Sequence, residues 1–323
     1  MSLGEPLAPR PLGSTGLEVP ALCVGCAPLG DMPEAFGYRI GEARALELCR
    51  AILAGPIRFA DTAAAYGEGR SERRLGLALR ERGGLPPGFV LATKADRDLR
   101  TGTFDGDQVR RSVEGSLLRL GLDRLQICFL HDPEHIPSFD AAMARGGPVE
   151  ALRRCQDEGL IAHLGVAGGP IPLLLRYVET GLFAVAISHN RYTLLNGAAA
   201  PLWDACQRCG VAAINAAPYG GGILARGVRA HPRYAYRPAS ETILERARRL
   251  EGLCRRAGAP LAAVALQFSL REPRLASTIV GVSSVRELEG MLALAAWPLP
   301  AALWDELATW PVETADPEAA TVD

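Results

Sequence analysis

Eight short apolar segments alternate with eight amphipathic segments along this chain of 323 residues. The apolar segments are rich in Val, Ile, Leu and Ala, which is typical of parallel strands buried on both faces. They cover residues 21–26, 57–60, 89–93, 125–130, 161–166, 184–188, 211–216 and 277–282. Apolar residues recur at helical spacing in the segments 42–53, 72–82, 108–120, 149–157, 172–178, 199–208, 241–256 and 285–295.

This alternation predicts an α/β fold, a closed parallel (β/α)8 TIM barrel. A doubly wound open sheet also alternates strand and helix, but the first predicted strand lacks the Gly-x-Gly-x-x-Gly that follows it in dinucleotide-binding members of that fold. Outside the eight units, residues 11–20 predict an N-terminal hairpin and residues 301–310 predict an extra C-terminal helix. Because no low-complexity linker divides the chain, we predict one domain over residues 1–323.

The charge balance bears on the class of partner. The chain has 35 basic and 36 acidic side chains, a net charge of −1, which predicts neither a nucleic-acid nor a membrane partner. Glycines and prolines interrupt its longest uncharged segments before they reach the length of a membrane-spanning helix. We therefore expect a cytoplasmic protein whose eight cysteines are small buried hydrophobic residues rather than disulfides or metal ligands.

Polar residues follow three successive predicted strands, on the side of a barrel where catalytic groups collect. Asp61 and Tyr66 follow the second strand, Lys94 ends the third and His131 follows the fourth. Lys94 is the only lysine among the 35 basic residues. A position that requires a compact ammonium with an adjustable proton affinity would keep lysine where the rest of the chain uses arginine.

These four residues predict acid and base chemistry at a C–O group. An ammonium beside a phenol favours phenolate, so Lys94 is expected to lower the pKa of Tyr66. Asp61 is expected to pair with Lys94, and His131 to orient a substrate oxygen. Since none of these side chains can transfer a hydride, the set implies a bound nicotinamide cofactor.

Two glycine-containing loops are candidates for binding the phosphates of that cofactor. They follow the seventh and eighth predicted strands, where barrels commonly bind phosphate. In these loops we predict cofactor contacts from Pro218, Gly220, Gly222, Gly281, Val282 and Ser283. Glycine lets backbone amides approach an anion, and the helix predicted from residue 285 directs its N-terminus at the same place.

At these residues the sequence resembles the aldo-keto reductases. The resemblance runs from residues 11–19 to about residue 294, and its most specific part is Asp61-Thr-Ala-Ala-Ala-Tyr66-Gly, followed by Ser71-Glu72. Lys94 and His131 match the other two catalytic positions of the family. The resemblance implies a barrel that binds NAD or NADP, with Tyr66 as the general acid or base.

Within that family, residues 189–195 and 214–218 look most similar to the branch of D-threo-aldose (L-fucose) 1-dehydrogenase, L-galactose dehydrogenase and pyridoxal 4-dehydrogenase. The resemblance puts Gly168, His189, Asn190 and Arg286 among the cofactor-binding residues. Several positions depart from the usual pattern: Ala167-Gly168 replaces Ser-Asn, His189 replaces Gln, and Ala216 replaces an aromatic residue.

The positions that are usually basic in NADP-dependent relatives hold Gly281 and Glu287, which weakly favours NAD. Aromatic and polar residues of the predicted loops suit a small sugar or aldehyde substrate; they are Phe36, Tyr38, His135, Tyr192 and Tyr219. We predict oxidation of an aldose such as L-fucose or L-galactose to its lactone. The alternatives are a general aldehyde and ketone reductase, a pyridoxal dehydrogenase, a non-catalytic cofactor-sensing module and a metal-dependent hydrolase. No metal site is predicted.

Overall fold

The computed structural model describes residues 6–318, so the two ends of the predicted 1–323 domain lie outside the described residues. Eight parallel strands close into a barrel in which each strand pairs with the next along the chain and the last pairs with the first. This closure confirms the TIM barrel and rules out the open sheet. The barrel strands are β3 Leu22–Gly25, β4 Phe59–Asp61, β5 Val90–Ala95, β6 Leu125–His131, β7 Ile161–Gly168, β8 Val185–His189, β9 Ala212–Ala216 and β12 Leu275–Gly281.

Two short antiparallel pairs lie outside the barrel. The predicted N-terminal hairpin is present, formed by β1 Arg10–Pro11 and β2 Glu18–Val19. A second pair, β10 Arg233–Tyr234 and β11 Arg237–Pro238, was not predicted. It follows the glycine-rich loop after β9, so it places its turn at the carboxyl end of the barrel.

Helices surround the barrel, and the nine predicted ones lie at nearly the predicted positions. The helices at 33–36, 139–143, 223–226 and 261–270 were not predicted. In chain order the helices are α1 Pro33–Phe36, α2 Glu42–Ala54, α3 Arg70–Arg82, α4 Gly106–Leu120, α5 Phe139–Met143, α6 Pro148–Asp157, α7 Ile171–Glu179, α8 Ala200–Cys209, α9 Ile223–Arg226, α10 Glu241–Arg256, α11 Leu261–Leu270, α12 Val285–Ala295 and α13 Ala301–Ala308. The extra C-terminal helix is therefore present, although it ends at Ala308 rather than at Trp310. No helix within residues 6–318 is long and apolar enough to cross a membrane.

Helix α11, which directly precedes β12, was missed by the sequence analysis. Its sequence LAAVALQFSL is apolar on nearly every side, and most of its residues are buried. Such a segment has no polar face and therefore no helical periodicity to detect. The periodic helix α10, which was predicted, lies before α11 in the chain.

The barrel interior is filled by side chains from alternate strand positions, as in other barrels of eight strands. Phe59, Ile127 and Phe129 are among the wholly buried residues of this inner cluster. A Cβ atom at Gly165 would lie 2.3 Å from the Phe129 ring, so β7 has glycine where that ring crosses the barrel. The barrel is thus a packed core, and its chemistry lies at its rim.

The loop after β4, which holds Tyr66, packs tightly against the 3₁₀ turn Ala27–Gly30. A Cβ atom at Gly67, whose φ is +62°, would lie 2.0 Å from the Gly30 carbonyl oxygen. Only glycine fits this approach. The contact holds the backbone next to Tyr66 at the mouth of the barrel.

The segment after α13 crosses the carboxyl end of the barrel beside the loop that follows β8. The Gly197 amide donates to the Glu313 carbonyl at 2.7 Å, and the Glu313 amide donates to the Leu195 carbonyl at 3.1 Å. Asn196 Nδ2 donates to the Ala315 carbonyl at 2.8 Å. Residues 312–318, called here the tail segment, are therefore held on the rim of the barrel.

Seven of the eight cysteines are buried and all eight are free, as expected for small apolar residues in the core. The expectation was wrong for Cys209, which is exposed at the last turn of α8. The helix ends there, and Gly210 turns the chain into β9 with a left-handed φ of +68°. Cys206, one turn earlier, faces the core.

Candidate active site

Lys94 lies at the carboxyl end of β5, between Asp61 and Tyr66. Its Nζ atom donates hydrogen bonds to Asp61 Oδ2 at 2.5 Å, to the Thr62 carbonyl at 2.8 Å and to the Tyr66 hydroxyl oxygen at 3.2 Å. The Lys94 and Asp61 side chains are 3% and 4% exposed, so water screens this pair little. The three residues, predicted from the ends of two successive strands, share one hydrogen-bond network.

His131 ends β6 on the other side of Tyr66. The two rings meet edge to face, with 5.9 Å between their centroids. His131 Nδ1 lies 2.5 Å from Asp96 Oδ1, and Asp96 Oδ2 accepts from the Ala65 amide at 2.7 Å. A carboxylate at Nδ1 fixes the proton on that nitrogen and orients the ring, which leaves Nε2 for other contacts.

Asp96 was not among the predicted site residues. It lies two residues beyond Lys94, just past the end of β5. Its position near a strand end is the feature of the sequence that could have identified it as a site residue. The sequence alone did not show that Asp96 contacts His131, because the two residues lie 35 positions apart.

The pKa of Tyr66 is raised, whereas the sequence led us to expect that Lys94 would lower it. Burial raises the pKa of Tyr66 above its ordinary value of 10, and Lys94 lowers it only in part. The pKa of Lys94 is lowered by burial but raised further by Asp61 and Tyr66, so it lies above its ordinary value. Tyr66 is consequently a phenol at neutral pH, and Lys94 remains an ammonium.

Burial also disfavours charge on His131, but two carboxylates outweigh it. Asp132 and Asp96 raise the pKa of His131 above 6.5. The Nε2 atom of His131 lies 3.6 Å from Asp132 Oδ1. Asp132 has a left-handed φ of +44°, and its Oδ1 atom is buried with no hydrogen-bond partner among residues 6–318. Asp132 therefore combines an uncommon backbone conformation with an unpaired carboxylate oxygen directly beside the catalytic set.

A cavity of about 390 Å³ lies along the loops that follow β9 and β12. Of the predicted cofactor-binding residues, Gly222, Gly281, Val282 and Arg286 line it, and so does Glu287, which the sequence placed at the adenosine end. Arg226 and Tyr236 also line it and were not predicted. The size is within the usual range for small-molecule sites. The N-terminus of α12 begins at its edge, where the Ser283 amide donates to Glu287 Oε2 at 2.7 Å.

Pro218 and Gly220 do not line this cavity, and their contact with a cofactor stays a prediction. A Cβ atom at Gly220 would lie 2.2 Å from the Tyr234 ring, and its φ is +58°. Glycine is therefore required at this position for packing against the β10–β11 pair. Gly222, a predicted cofactor contact, lines the cavity, as does its neighbour Gly221, which was not predicted.

A larger, shallow depression of about 1050 Å³ lies at the amino ends of the strands, between residues 10–14 and 270–276. Barrel enzymes perform their chemistry at the other end, where the four catalytic candidates are found. Within residues 6–318 no three His, Cys, Asp or Glu side chains form a group that could hold a metal ion.

Residues 21–309 match the sequence profile described as Aldo/keto reductase family. The chain belongs to this family. Its similarity to D-threo-aldose 1-dehydrogenase from a Pseudomonas species is 32% identity, covering 95% of this chain and 98% of that protein. L-galactose dehydrogenase from Arabidopsis thaliana is 31% identical over 88% and 86% of the two chains. Pyridoxal 4-dehydrogenase from Microbacterium luteolum is 29% identical over 92% and 96%.

The solved structures agree on the fold. An aldo-keto reductase from Bacillus halodurans, in its holo form, matches with a TM-score of 0.74 and 23% identity, over 96% of this chain and 98% of that one. The protein is therefore an NAD(P)-dependent oxidoreductase of the aldo/keto reductase family. Membership of this enzyme family also disfavours the metal-dependent hydrolase considered from the sequence.

In this aldo/keto reductase, His189 and Asn190 lie at the end of β8, outside the 390 Å³ cavity. Asn190 is wholly buried, and its Oδ1 atom has no hydrogen-bond partner in the described part of the chain. Burial lowers the pKa of His189 below 6.5, which favours a neutral ring. Glycines beside the cavity, where backbone amides can approach an anion, fit the phosphates of a bound dinucleotide.

Gly168 can contribute only backbone to a cofactor site. A Cβ atom there would lie 2.9 Å from Glu134 Oε2, so the Glu134 carboxyl group fills the space that a side chain at position 168 would need. Burial raises the pKa of Glu134 to about 7. This aldo/keto reductase therefore has no side chain for nicotinamide at position 168.

The aromatic residues expected around the substrate separate into two groups. Phe36, Tyr38 and Tyr219 line the cavity, and Tyr236 packs edge to face against Phe36. The other two do not: His135 is exposed, and Tyr192 lies in the outer layer. Tyr192 stacks on Phe268 and donates to Glu272 Oε2 at 2.5 Å. These contacts hold Tyr192 outside the cavity, whereas a contact between His135 and the substrate stays a prediction.

Proposed function

We propose that this aldo/keto reductase is an aldose 1-dehydrogenase that oxidises a ring hemiacetal to its lactone. Tyr66 exchanges the hydroxyl proton, Lys94 and Asp61 set its proton affinity, and His131 orients the reacting oxygen. The single observation that carries these roles is the placement of Lys94 Nζ within hydrogen-bond distance of both Asp61 and Tyr66. The similarity to aldose and galactose dehydrogenases supports the substrate class.

The cofactor, when bound, accepts a hydride from the substrate carbon. Gly222, Gly281 and Val282 are the proposed backbone contacts for its phosphates, with Arg226 and Arg286 as nearby cations. Glu287 lines the same cavity. A carboxylate favours a free ribose hydroxyl over a 2′-phosphate, so we propose a preference for NAD.

The residues around Tyr66 suit a polyhydroxylated ring. Asp132 offers a carboxylate oxygen without a partner, and His131 offers Nε2 at the same edge of the site. Sugar hydroxyl groups can donate hydrogen bonds to the Asp132 carboxylate. They can also donate to His131 Nε2 when the His131 ring is neutral. In the proposed reaction Tyr66 acts as phenolate, the form that the neighbouring Lys94 ammonium favours. The proton of the substrate hydroxyl group passes to the phenolate oxygen as the hydride passes to the cofactor.

Purified protein incubated with NAD and with NADP, against a panel including L-fucose, L-galactose and D-arabinose, tests this proposal. The expected result is formation of reduced nicotinamide with one or more aldoses and a lactone product. Absence of turnover with every sugar, together with turnover of simple aldehydes in the presence of reduced cofactor, would overturn it.

A general carbonyl reductase is the second candidate function. The observation that favours it is the raised pKa of Tyr66, because a phenol is ready to donate a proton to a carbonyl oxygen. Measuring kcat/KM for aldehydes with NADH against kcat/KM for aldoses with NAD decides between the two. Pyridoxal belongs in the same panel, because a pyridoxal dehydrogenase is 29% identical to this chain.

A further inference from the structure

The Lys94 ammonium group donates each of its three protons to a different acceptor. The acceptors are Asp61 Oδ2, the Thr62 carbonyl oxygen and the Tyr66 hydroxyl oxygen. All three belong to β4 or to the loop that follows it, whereas Lys94 belongs to β5. The distance between Lys94 Nζ and the Tyr66 hydroxyl oxygen therefore depends on how the end of β4 is held against the end of β5.

Ser71, the second residue of α3, holds the β4 side of this arrangement. Its hydroxyl group donates to the Cys26 carbonyl oxygen at 2.8 Å. Because a hydroxyl group has one proton, the bond of 2.8 Å between Ser71 Oγ and Thr62 Oγ1 is donated by Thr62. The Ser71 amide donates to the Tyr66 carbonyl oxygen at 3.2 Å. Ser71, which is wholly buried, thus contacts both Thr62 and Tyr66.

Glu72, the next residue of α3, holds the β5 side. Its Oε1 atom accepts from Thr93 Oγ1 at 2.5 Å, and its Oε2 atom accepts from Arg119 Nε at 2.6 Å. The Glu72 side chain is wholly buried, so this carboxylate depends on both partners. Thr93 directly precedes Lys94 in β5. The contact therefore holds the backbone that carries the ammonium group.

Three glycines make room for Arg119, which reaches Glu72 from α4. A Cβ atom at Gly69 would lie 2.6 Å from Arg119 Cδ, and one at Gly115 would lie 2.8 Å from Arg119 Nη1. A Cβ atom at Gly76 would lie 1.9 Å from the Arg119 carbonyl oxygen, so α3 and α4 touch there through their backbones. The first turn of α3 is therefore held by close helix packing as well as by hydrogen bonds.

Two neighbouring residues of one helical turn thus hold the two sides of the contact between Lys94 and Tyr66. We propose that Ser71 and Glu72 are positioning residues that set the distance between the Lys94 ammonium group and the Tyr66 hydroxyl group. They act through their neighbours rather than on the reacting atoms. The proposal rests on the catalytic roles proposed for Lys94 and Tyr66, and it does not depend on which substrate is oxidised.

Two conservative variants each remove one of these contacts. Ser71→Ala removes the hydroxyl group that links Cys26 to Thr62, and Thr93→Val removes the hydroxyl group donated to Glu72 but keeps the branched shape. We expect kcat to fall about tenfold in each variant and KM to change less than about twofold, because a reacting group moves while substrate contacts remain. Thr93→Ser, which keeps the hydroxyl group, should recover most of kcat.

The lone lysine allows a measurement that needs no substrate. In protein labelled with ¹⁵N-lysine, Lys94 gives the only lysine ammonium signal in the NMR spectrum. The protons of a buried ammonium group exchange slowly with water, because its hydrogen bonds must first open. Exchange should be about tenfold faster in Ser71→Ala and in Thr93→Val than in the unaltered protein, and nearly unaltered in Thr93→Ser.

Ser277→Ala and Thr278→Val are matched controls on β12, a strand that pairs with neither β4 nor β5. Ser277 is a buried serine whose hydroxyl group donates to the Pro20 carbonyl oxygen at 2.8 Å. Thr278 is a buried strand threonine whose Oγ1 atom lies 2.8 Å from Ser269 Oγ. Both changes should leave kcat and the exchange of the Lys94 ammonium protons unchanged.

Unchanged exchange in both Ser71→Ala and Thr93→Val would overturn the proposal, and so would equally faster exchange in the two control variants. Rapid exchange in the unaltered protein would overturn it too, because the ammonium group would then not be held. Faster exchange with an unchanged kcat would show that the distance does not matter for the reaction. If no sugar is oxidised, the proposed substrate class fails, and kcat is then measured with the carbonyl substrate that the same panel identifies.

Discussion

His131 Nδ1 lies 2.5 Å from Asp96 Oδ1, so a carboxylate fixes the ring that adjoins Tyr66. This contact matters because it keeps a proton on Nδ1. It thereby determines whether the other nitrogen, Nε2, is free to accept a hydrogen bond when the ring is neutral. Asp96 also accepts from the Ala65 amide, one residue before Tyr66. One carboxylate therefore positions both the histidine and the backbone that carries the tyrosine.

Asp96→Asn should lower kcat by about ten- to a hundredfold, the usual scale for losing an orienting partner. It should also lower the pKa of His131, which Asp96 and Asp132 raise. A raised histidine pKa stabilises the folded protein below about pH 6.5, and that contribution is lost as the pH rises through the folded-state value. The stability lost in Asp96→Asn should therefore be largest in acid. Urea unfolding at several pH values measures it, with Asp123→Asn as control because Asp123 is exposed and lies away from the site.

Tyr66→Phe keeps the ring and removes the hydroxyl group. We expect turnover to fall at least about a hundredfold, the scale of one general acid or base, with cofactor affinity retained. Tyr177→Phe is the matched control, because Tyr177 is also buried but lies on α7 away from the catalytic set. Near-normal turnover of Tyr66→Phe would contradict the role of this residue.

The pH dependence should differ between the two directions of the reaction. Because burial raises the pKa of Tyr66 above 10, the phenol form persists through the neutral range. Oxidation, which needs a proton acceptor, should become faster from about pH 7 to about pH 10, whereas reduction should not gain from the same change. Steady-state rates in both directions across this range test the assignment. An oxidation rate that falls with rising pH would count against it.

The buried pair of Lys94 and Asp61 should show strong energetic coupling. Lys94→Met leaves an unpaired buried carboxylate, and Asp61→Asn leaves an unpaired ammonium, so each change should cost about 3–5 kcal/mol of unfolding free energy. The double variant should cost clearly less than the sum. Urea unfolding of the four proteins measures the coupling. Strict additivity of the two changes in unfolding free energy would mean that Lys94 and Asp61 do not interact. The exposed pair Arg50–Glu81 serves as a control, because an exposed ion pair is expected to be only weakly coupled.

Glu287 should influence the choice between NAD and NADP. Glu287→Gln keeps an acceptor for the Ser283 amide but removes the negative charge beside the cavity. The ratio of kcat/KM for NADP to that for NAD should rise about tenfold. Glu289→Gln, on the same helix but outside the cavity lining, should leave the ratio unchanged. A hundredfold preference of the unaltered protein for NADP would refute the proposed selectivity.

The sequence predicted the barrel because strand and helix differ in period, and it predicted Tyr66, Lys94, Asp61 and His131 because strand ends meet at one rim. The sequence did not predict features that leave no local pattern along the chain. Helix α11 is apolar on nearly all sides, and contacts such as His131 with Asp96 join residues far apart in sequence. The contacts between the tail segment and Arg191 were not predicted for the same reason, since the fold alone brings these distant residues together.

The glycine loop after β9 shows a second limit. Gly220 and Gly222 look equally suited to a phosphate, yet only Gly222 lines the cavity. Gly220 is required by the Tyr234 ring. A glycine that serves close packing and one that serves an anion have the same sequence appearance, so only the surrounding structure distinguishes them.

The lone lysine gives this protein an internal reporter. Apart from the chain's own α-amino group, Lys94 is the one primary amine among 323 residues, and it is buried as an ammonium against Asp61. An acylating reagent reaches its nitrogen only when that ion pair opens and the proton leaves. Mass spectrometry can follow the rate at which one acyl group is added at Lys94. This rate therefore measures how often the ion pair between Lys94 and Asp61 opens in the catalytic centre.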